Sequence, residues 1–153
     1  MRLTKSTSHA MRILIECAQA DERLVKVAEL STRLDITPQN VFKIVNMLTR
    51  AGLIAATRGR NGGVRLAKAA DKITLFDVVR VTEDSFAMAE CFENDAAECP
   101  LIDSCGLNEA LRKALGAFFE VLEGYSIDDL IKARPNMRSL LGLEFEAPRA
   151  LAG

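Results

Sequence analysis

The sequence contains little aromatic surface and no long hydrophobic run. Aromatic residues make up 5% of the 153 residues, tryptophan is absent and histidine occurs once. The core must therefore be built mainly of Leu, Ile, Val and Ala, a composition that favours helices. No apolar run approaches the roughly 20 residues that span a bilayer, and the run that begins at Met11 is broken by Arg12 and Glu16. We therefore expect no membrane span, no secretory signal and a cytoplasmic location.

The chain also lacks the residue patterns of common enzymes. It shows no pairing of a nucleophile with a base and no glycine loop of the phosphate-binding type. The glycines after Asn61 fit a hairpin turn better than a phosphate site. An enzymatic function is therefore not expected.

The net charge of −1 hides a strong asymmetry along the chain. Residues 1–80 contain 14 Lys or Arg and 7 Asp or Glu, whereas residues 81–153 contain 6 and 14. Such a division is typical of a nucleic-acid-binding half joined to a sensing or assembly half. The alternative is a chance distribution of solvated surface charge.

Three helices are predicted in the basic half. Apolar residues at three- and four-residue steps indicate a first helix over residues 6–20 and place Cys17 in the core rather than at a metal site. A second helix over 26–34 and a turn at Asp35 lead to a third helix. Thr37 is its predicted N-cap, Pro38 its first residue, and Gly52 its stop. The residues that this helix should bury are Val41, Ile44, Val45 and Leu48. Two such helices joined by a tight turn predict a helix-turn-helix.

A β-hairpin is predicted directly after these helices. Residues 53–58 and 64–66 have the pattern of strands, and Asn61-Gly62 predicts a turn with positive φ. The hairpin is rich in arginine and has no acidic residue, as expected of the wing of a winged helix. The residues predicted to contact DNA are Thr37, Gln39, Asn40 and Lys43 on the third helix, Arg58, Arg60 and Arg65 on the hairpin, and Arg2 and Lys5 near the N-terminus. An ordinary amphipathic surface helix and scattered terminal charge are the alternatives.

The acidic half contains a cysteine-rich segment between two helices. Thr74-Leu-Phe-Asp predicts a capping box that starts a helix, which we expect to pack against the wing. Cys91, Cys99 and Cys105 follow, with seven and five residues between them. A helix would scatter these thiols over several faces, so we expect a loop that gathers them. Three thiolates from one loop suggest an iron–sulfur cluster or another metal.

A long helix with an apolar seam is predicted after Gly106. The seam alternates four- and three-residue steps, the pattern of a heptad. Its members are Leu107, Leu111, Ala114, Phe118, Val121 and Tyr125. Because a small winged helix needs a second copy to read a palindromic operator, we interpret this helix as a homodimer interface, with a core helix as the alternative. Ser126 is predicted to cap a short final helix that ends near Pro135.

These elements predict a mainly α fold with a small β-hairpin wing. The expected divisions are a winged helix-turn-helix domain over 1–82, a cysteine-rich loop over 83–106, a dimerisation helix and C-terminal helix over 107–142, and a tail over 143–153.

The sequence resembles the Rrf family of bacterial transcription factors over about residues 1–141. The resemblance rests on the start MRLTK, the wing sequence RGRNGGVRL and three clustered cysteines before a long helix. It implies a dimeric winged-helix repressor that binds a double-stranded DNA operator, and several members of the family sense through an iron–sulfur cluster. The runs LFDVVRVTEDSFAMAECF and CGLNEALRKAL look most like the rhizobial iron regulators of the family, whereas DITPQNVFKIVNML looks less like them. We therefore expect control of iron homeostasis through an operator that the resemblance does not identify.

The resemblance implies that Cys91, Cys99 and Cys105 hold the cluster, with 4Fe-4S as the expected form and 2Fe-2S as the alternative. Two fourth ligands of the family are missing, because Asn108 replaces a histidine and Ser8 replaces an aspartate. His9 is a candidate for the fourth iron, with a surface or DNA-backbone contact as the alternative. A small thiol, water or a loop carboxylate could also fill the place; the carboxylates are Glu90, Glu93, Asp95, Glu98 and Asp103.

Two other interpretations of the cysteines remain open. In the first, the same fold responds to nitric oxide or thiol oxidation, as in relatives of the resembled family. In the second, the three cysteines and His9 form a structural zinc site. Zinc ligands usually lie two to four residues apart in pairs, so spacings of seven and five fit zinc poorly.

Overall fold

The computed structural model describes residues 2–89, 92 and 105–133 of the chain. Within them lie six α-helices and one two-stranded antiparallel sheet, which confirms the predicted mainly α fold. The elements are α1 (Lys5–Gln19), α2 (Val27–Leu34), α3 (Pro38–Arg50), β1 (Ile54–Thr57), β2 (Gly63–Leu66), α4 (Leu75–Thr82), α5 (Gly106–Glu123) and α6 (Ile127–Lys132), with a 3-10 turn at Ala70–Lys72. None of the helices in these ranges is long and apolar enough to cross a membrane.

Helix α1 lies at the centre of the core. It packs against α2, α3, α4, α6 and β2. Ile13 and Leu14 are fully buried, and each such side chain contributes roughly 1.5–3 kcal/mol. Cys17 is fully buried on the same face, as predicted. Burial raises the pKa of the Cys17 thiol to about 12, with Glu16 adding to the effect, so this thiol stays protonated, as expected of a core residue.

Helices α2 and α3 form the predicted helix-turn-helix. Asp35 ends α2 in the left-handed region at φ 51°, and Ser31 Oγ donates a 2.7 Å hydrogen bond to the carbonyl of Ile36. Pro38 occupies the first turn of α3, as predicted. Thr37 holds the N-cap position, as predicted, although its side chain makes no capping hydrogen bond. The buried residues of α3 are the four predicted ones, Val41, Ile44, Val45 and Leu48.

The hairpin pairs Ile54 with Leu66 and Thr57 with Gly63. Positive φ occurs at Gly59, at 107°, and the prediction of positive φ at Asn61-Gly62 is wrong. The reason is the register: residues 58–62 form a five-residue loop, whereas positive φ at both central residues belongs to two-residue turns. Glycine is needed at position 62 because the backbone there passes close to Thr57. A Cβ at this position would lie 2.2 Å from the Thr57 carbonyl oxygen.

Helices α4 and α6 both begin at capping boxes. Thr74 with Asp77, and Ser126 with Asp129, exchange side-chain and backbone hydrogen bonds as predicted. The two helix starts are joined, because the Leu75 amide donates to the Tyr125 carbonyl at 2.9 Å. Helix α4 packs mainly on α1, α3 and α5, so the expected packing on the wing is not its main contact. The start of α4 therefore lies beside the end of α5. Residues 83–105 connect the end of α4 to the start of α5.

Candidate nucleic-acid interface and cysteine site

The solvent face of α3 carries the side chains that were predicted to read DNA. Thr37, Gln39, Asn40 and Lys43 are all exposed. The first turn of α3 contains no acidic residue, so nothing there repels phosphate. An α-helix fits the major groove, where amide and ammonium groups pair with base edges. The polar residues of α3 that were predicted to contact DNA therefore lie on its solvent-exposed face.

The three hairpin arginines do not share one position. Arg58 and Arg60 lie in the 58–62 loop and are exposed. Arg65 lies within β2 opposite Ala55 and lines a groove with Asp21 and Glu22 at the end of α1. Arg58 and Arg60 thus form the tip of the wing, whereas Arg65 lies on its strand, in a groove that Asp21 and Glu22 also line.

The N-terminal residues form a third basic surface. Arg2 and Lys5 are exposed, and His9 is half-buried on α1. Burial lowers the pKa of His9, and the charges of Arg12 and Lys5 lower it further. Neutral pH therefore leaves the imidazole uncharged. His9 and Cys105 lie on different elements, α1 and the start of α5.

A cluster of hydrogen bonds fastens the N-terminus of α1 to the end of α4. Glu83 accepts from the Thr4 amide at 2.7 Å, from the Thr4 hydroxyl at 3.0 Å and from Thr7 Oγ1. The buried hydroxyls of Thr7 and Thr82 lie 2.7 Å apart. Burial acts to raise the pKa of Glu83, but the hydrogen bonds from Thr7 and Thr4 outweigh it and lower the pKa. The charged Glu83 carboxylate is thus held in place by these hydrogen bonds, eight residues before Cys91 in the sequence.

A buried ion pair joins α1 to α2. Glu16 is 3% exposed and pairs with Arg33, which also lies 3.1 Å from Glu29. The sequence interpretation missed this pair. Its signal is that Glu16 follows Ile13 by three residues, so it falls on the apolar face of α1 where a charge must find a partner.

The cysteine site is only partly within the described residues. Cys91 and Cys99 lie outside them, as do the five candidate loop carboxylates, the tail and the predicted end of the last helix. Cys105 is half-buried at the N-cap of α5, and its carbonyl accepts from the Glu109 amide at 3.2 Å. Among the described residues no three His, Cys, Asp or Glu side chains gather as a metal site.

Phe92, near the start of the cysteine segment, contacts the first turns of α5, which follow the end of that segment. The Arg112 guanidinium lies 4.9 Å from the ring centroid of Phe92, the residue after Cys91. Arg112 Nε also donates to Asn108 Oδ1 at 2.7 Å, one turn beyond Cys105. Asn108 is 9% exposed and its Nδ2 has no partner in this part of the structure. An amide donor left without a partner at this place suits the sulfur atoms of a thiolate or cluster, because a buried donor needs an acceptor.

The heptad seam is exposed at both ends, while Leu111 and Phe118 between them are half-buried. Leu107 is 64% exposed, Val121 59% and Tyr125 52%, and Asn108 is the buried residue of the helix. The other side packs on α4 through Phe119, whose ring lies 5.1 Å from Phe76. The described residues therefore leave Leu107, Val121 and Tyr125 uncovered, and the homodimer interface stays a prediction with a core helix as its alternative.

Comparisons with known proteins agree on one family. The family model Rrf2, described as "Iron-dependent Transcriptional regulator", matches residues 3–133. Protein Aau3 of Rhizobium meliloti (strain 1021) is 62% identical over 144 residues, which cover 94% of each chain. The HTH-type transcriptional regulator NsrR of Oceanobacillus iheyensis is 37% identical and covers 94% of this chain and 99% of its own.

A solved structure shows the same architecture. CymR of B. subtilis, titled a global cysteine regulator, superposes with a TM-score of 0.66 at 25% identity, over 87% of this chain and 98% of its own. The predicted winged-helix fold is thereby confirmed. The named regulators among these proteins also agree with the expectation that the chain is not an enzyme.

Proposed function

Since the chain belongs to the Rrf2 family of transcriptional regulators, we propose that it is a cytoplasmic, homodimeric, iron-responsive repressor. Its affinity for an operator would be controlled by an iron–sulfur cluster held by Cys91, Cys99 and Cys105. The observation that carries this proposal is the meeting of Phe92, Arg112 and Asn108, which closes the two ends of the cysteine segment on α5.

The DNA interface would consist of three surfaces on one copy. The exposed amides and Lys43 of α3 would contact base edges, while Arg58 and Arg60 at the wing tip would bind phosphates or the minor groove. Arg2 and Lys5 add positive charge beside α1. Arg65 would contribute less to DNA affinity, since Asp21 and Glu22 line the same groove.

A second copy is needed to cover α5. Leu107 and Val121 on α5 and Tyr125 just after it are each more than half exposed, which is unusual for a monomer, because burial of each would release roughly 1.5–3 kcal/mol. Pairing two copies would also present two recognition helices to half-sites about 34 Å apart. The exposed seam therefore supports the homodimer.

The cysteine segment would supply three thiolates, and Asn108 would donate a hydrogen bond to a sulfur. A bound iron–sulfur cluster adds a group whose presence depends on the iron supply. Arg112 holds Asn108 Oδ1, so the free Nδ2 of the amide faces inward and the side chain cannot replace the missing histidine as a ligand.

The same segment would connect sensing to DNA. Residues 83–105 begin at Glu83, which is bonded to the N-terminus of α1, and end at α5, which carries the dimer seam. A constraint on this segment therefore acts on both the DNA-binding domain and the spacing of the two copies. Allosteric control of this kind corresponds to about 1–3 kcal/mol.

The first test is the composition of the protein after anaerobic purification. We expect iron and acid-labile sulfide in the wild type, and their loss in Cys99→Ala. Cys17→Ala is the matched control, because the buried Cys17 thiol has a pKa of about 12 and should leave iron and sulfide unchanged. His9→Ala, measured in parallel, shows whether the imidazole helps to hold the metal.

The alternatives give different results in the same samples. Zinc without sulfide would contradict the cluster, as would a Cys99→Ala variant with wild-type iron content. If the cluster is present, a chelator and nitric oxide are applied separately. Loss of operator binding with nitric oxide but not with the chelator would identify nitric oxide as the signal in place of iron.

A further inference from the structure

An exposed phenylalanine stands at the centre of the recognition surface. Phe42 is 54% exposed on α3. Other large exposed apolar residues in the described ranges are Leu3 before α1, Leu107 and Val121 on α5, and Tyr125 between α5 and α6. Phe42 is thus the large apolar residue exposed on α3.

The neighbours of Phe42 place it where DNA would bind. Gln39 precedes it by three residues and Asn46 follows by four, and Lys43 lies beside it. Side chains three and four apart are adjacent on a helix surface, with Cβ atoms about 5–6 Å apart. All four are exposed, while Val41 and Ile44 point into the core. Phe42 therefore belongs to the face that carries the amide and ammonium groups.

A phenyl ring can match only one feature of the base edges in the major groove. It neither donates nor accepts a conventional hydrogen bond, and the edges of A, G and C present donors and acceptors there. Thymine alone presents a methyl group. We propose that Phe42 is a specificity-determining residue that packs on the 5-methyl group of a thymine in each operator half-site. The inference rests on the proposed DNA binding and adds the base that α3 selects.

The test compares thymine with deoxyuridine, which lacks only that methyl group. The binding sequence is first selected from random duplexes with the wild type. Each thymine is then replaced singly by deoxyuridine in both half-sites, and the Kd is measured by fluorescence anisotropy at fixed salt. We expect one thymine per half-site whose replacement weakens wild-type binding about fourfold per methyl group.

In Phe42→Ala the same replacement should leave the Kd unchanged, with the fold checked by circular dichroism and thermal unfolding. Arg58→Ala is the matched control: loss of a phosphate contact should weaken binding to both duplexes equally and preserve the thymine preference. The proposal is overturned if no thymine is sensitive in the wild type, or if Phe42→Ala keeps the full preference. If the wild type selects no duplex in any metal state, DNA binding itself fails, and this is seen before any variant is made.

Discussion

Glu16 and Arg33 show how a charge can be held inside so small a core. The Glu16 carboxylate is nearly inaccessible, and the Arg33 side chain is 26% exposed, so one end of the pair still reaches solvent. Since α1 and α2 are joined by this pair, it fixes the first helix of the helix-turn-helix on the core. Arg33 pairs with Glu16 Oε1, and Glu16 Oε2 has no hydrogen-bond partner among the described residues.

We predict that Arg33→Met lowers the free energy of unfolding by about 2 kcal/mol, because it leaves a buried carboxylate without its counter-charge. The figure is below the 3–5 kcal/mol of a fully buried pair because Arg33 is partly solvated. Urea unfolding followed by circular dichroism measures it. The control is Glu16→Met combined with Arg33→Met, which should recover most of the loss. Equal stability of Arg33→Met and the wild type would show that the pair is unimportant.

The sequence predicted the burial of single residues correctly where a helical periodicity determines which side chains face the core. Cys17 was assigned to the core because it repeats the spacing of Ile13 and Leu14, and it is buried. The Glu16 pair was missed because its partner lies 17 residues away on another helix. The turn at Asn61 was wrong because a dipeptide preference does not fix the length of the loop around it.

Helix α5 packs one face against α4 and exposes large apolar residues on another. Phe119 packs edge-on to Phe76 and Phe86, at centroid distances of 5.1 and 4.9 Å, and so ties the helix to α4 and to the start of the cysteine segment. The seam of Leu107, Val121 and Tyr125 stays exposed. The heptad pattern predicted an apolar seam from sequence, but only the structure shows that the described residues leave these three side chains exposed.

We predict that Val121→Lys weakens the dimer about 100-fold while each copy stays folded. Two copies of Val121 would each lose at least about 1.5 kcal/mol of burial, or about 3 kcal/mol per dimer. Sedimentation equilibrium gives the dissociation constant. Glu120→Gln is the control, since it makes the same change of charge at an adjacent exposed position off the seam. A wild type that is monomeric, or a Val121→Lys variant as dimeric as the wild type, would refute the interface.

At the scale of the whole molecule, the sequence indicated the mainly α winged-helix fold correctly. The helix-turn-helix has local signals, namely Asp35, Pro38 and the apolar face of α3. The packing of α5 against α4 has no such local signal. The Leu75 amide donates a backbone hydrogen bond to the Tyr125 carbonyl, and no side-chain pattern in the sequence encodes that pairing. The positions of Phe92 and Arg112 relative to Asn108 were likewise visible only in three dimensions.

The central claim is that the state of the cysteine site sets the affinity for DNA. The most direct measurement is the Kd of one anaerobic preparation for its selected operator duplex, before and after iron is removed by a chelator, at one salt concentration. We predict that removal weakens binding roughly 10-fold or more, within the range expected for allosteric coupling. An unchanged Kd, with loss of iron and sulfide verified in the same sample, would contradict the claim.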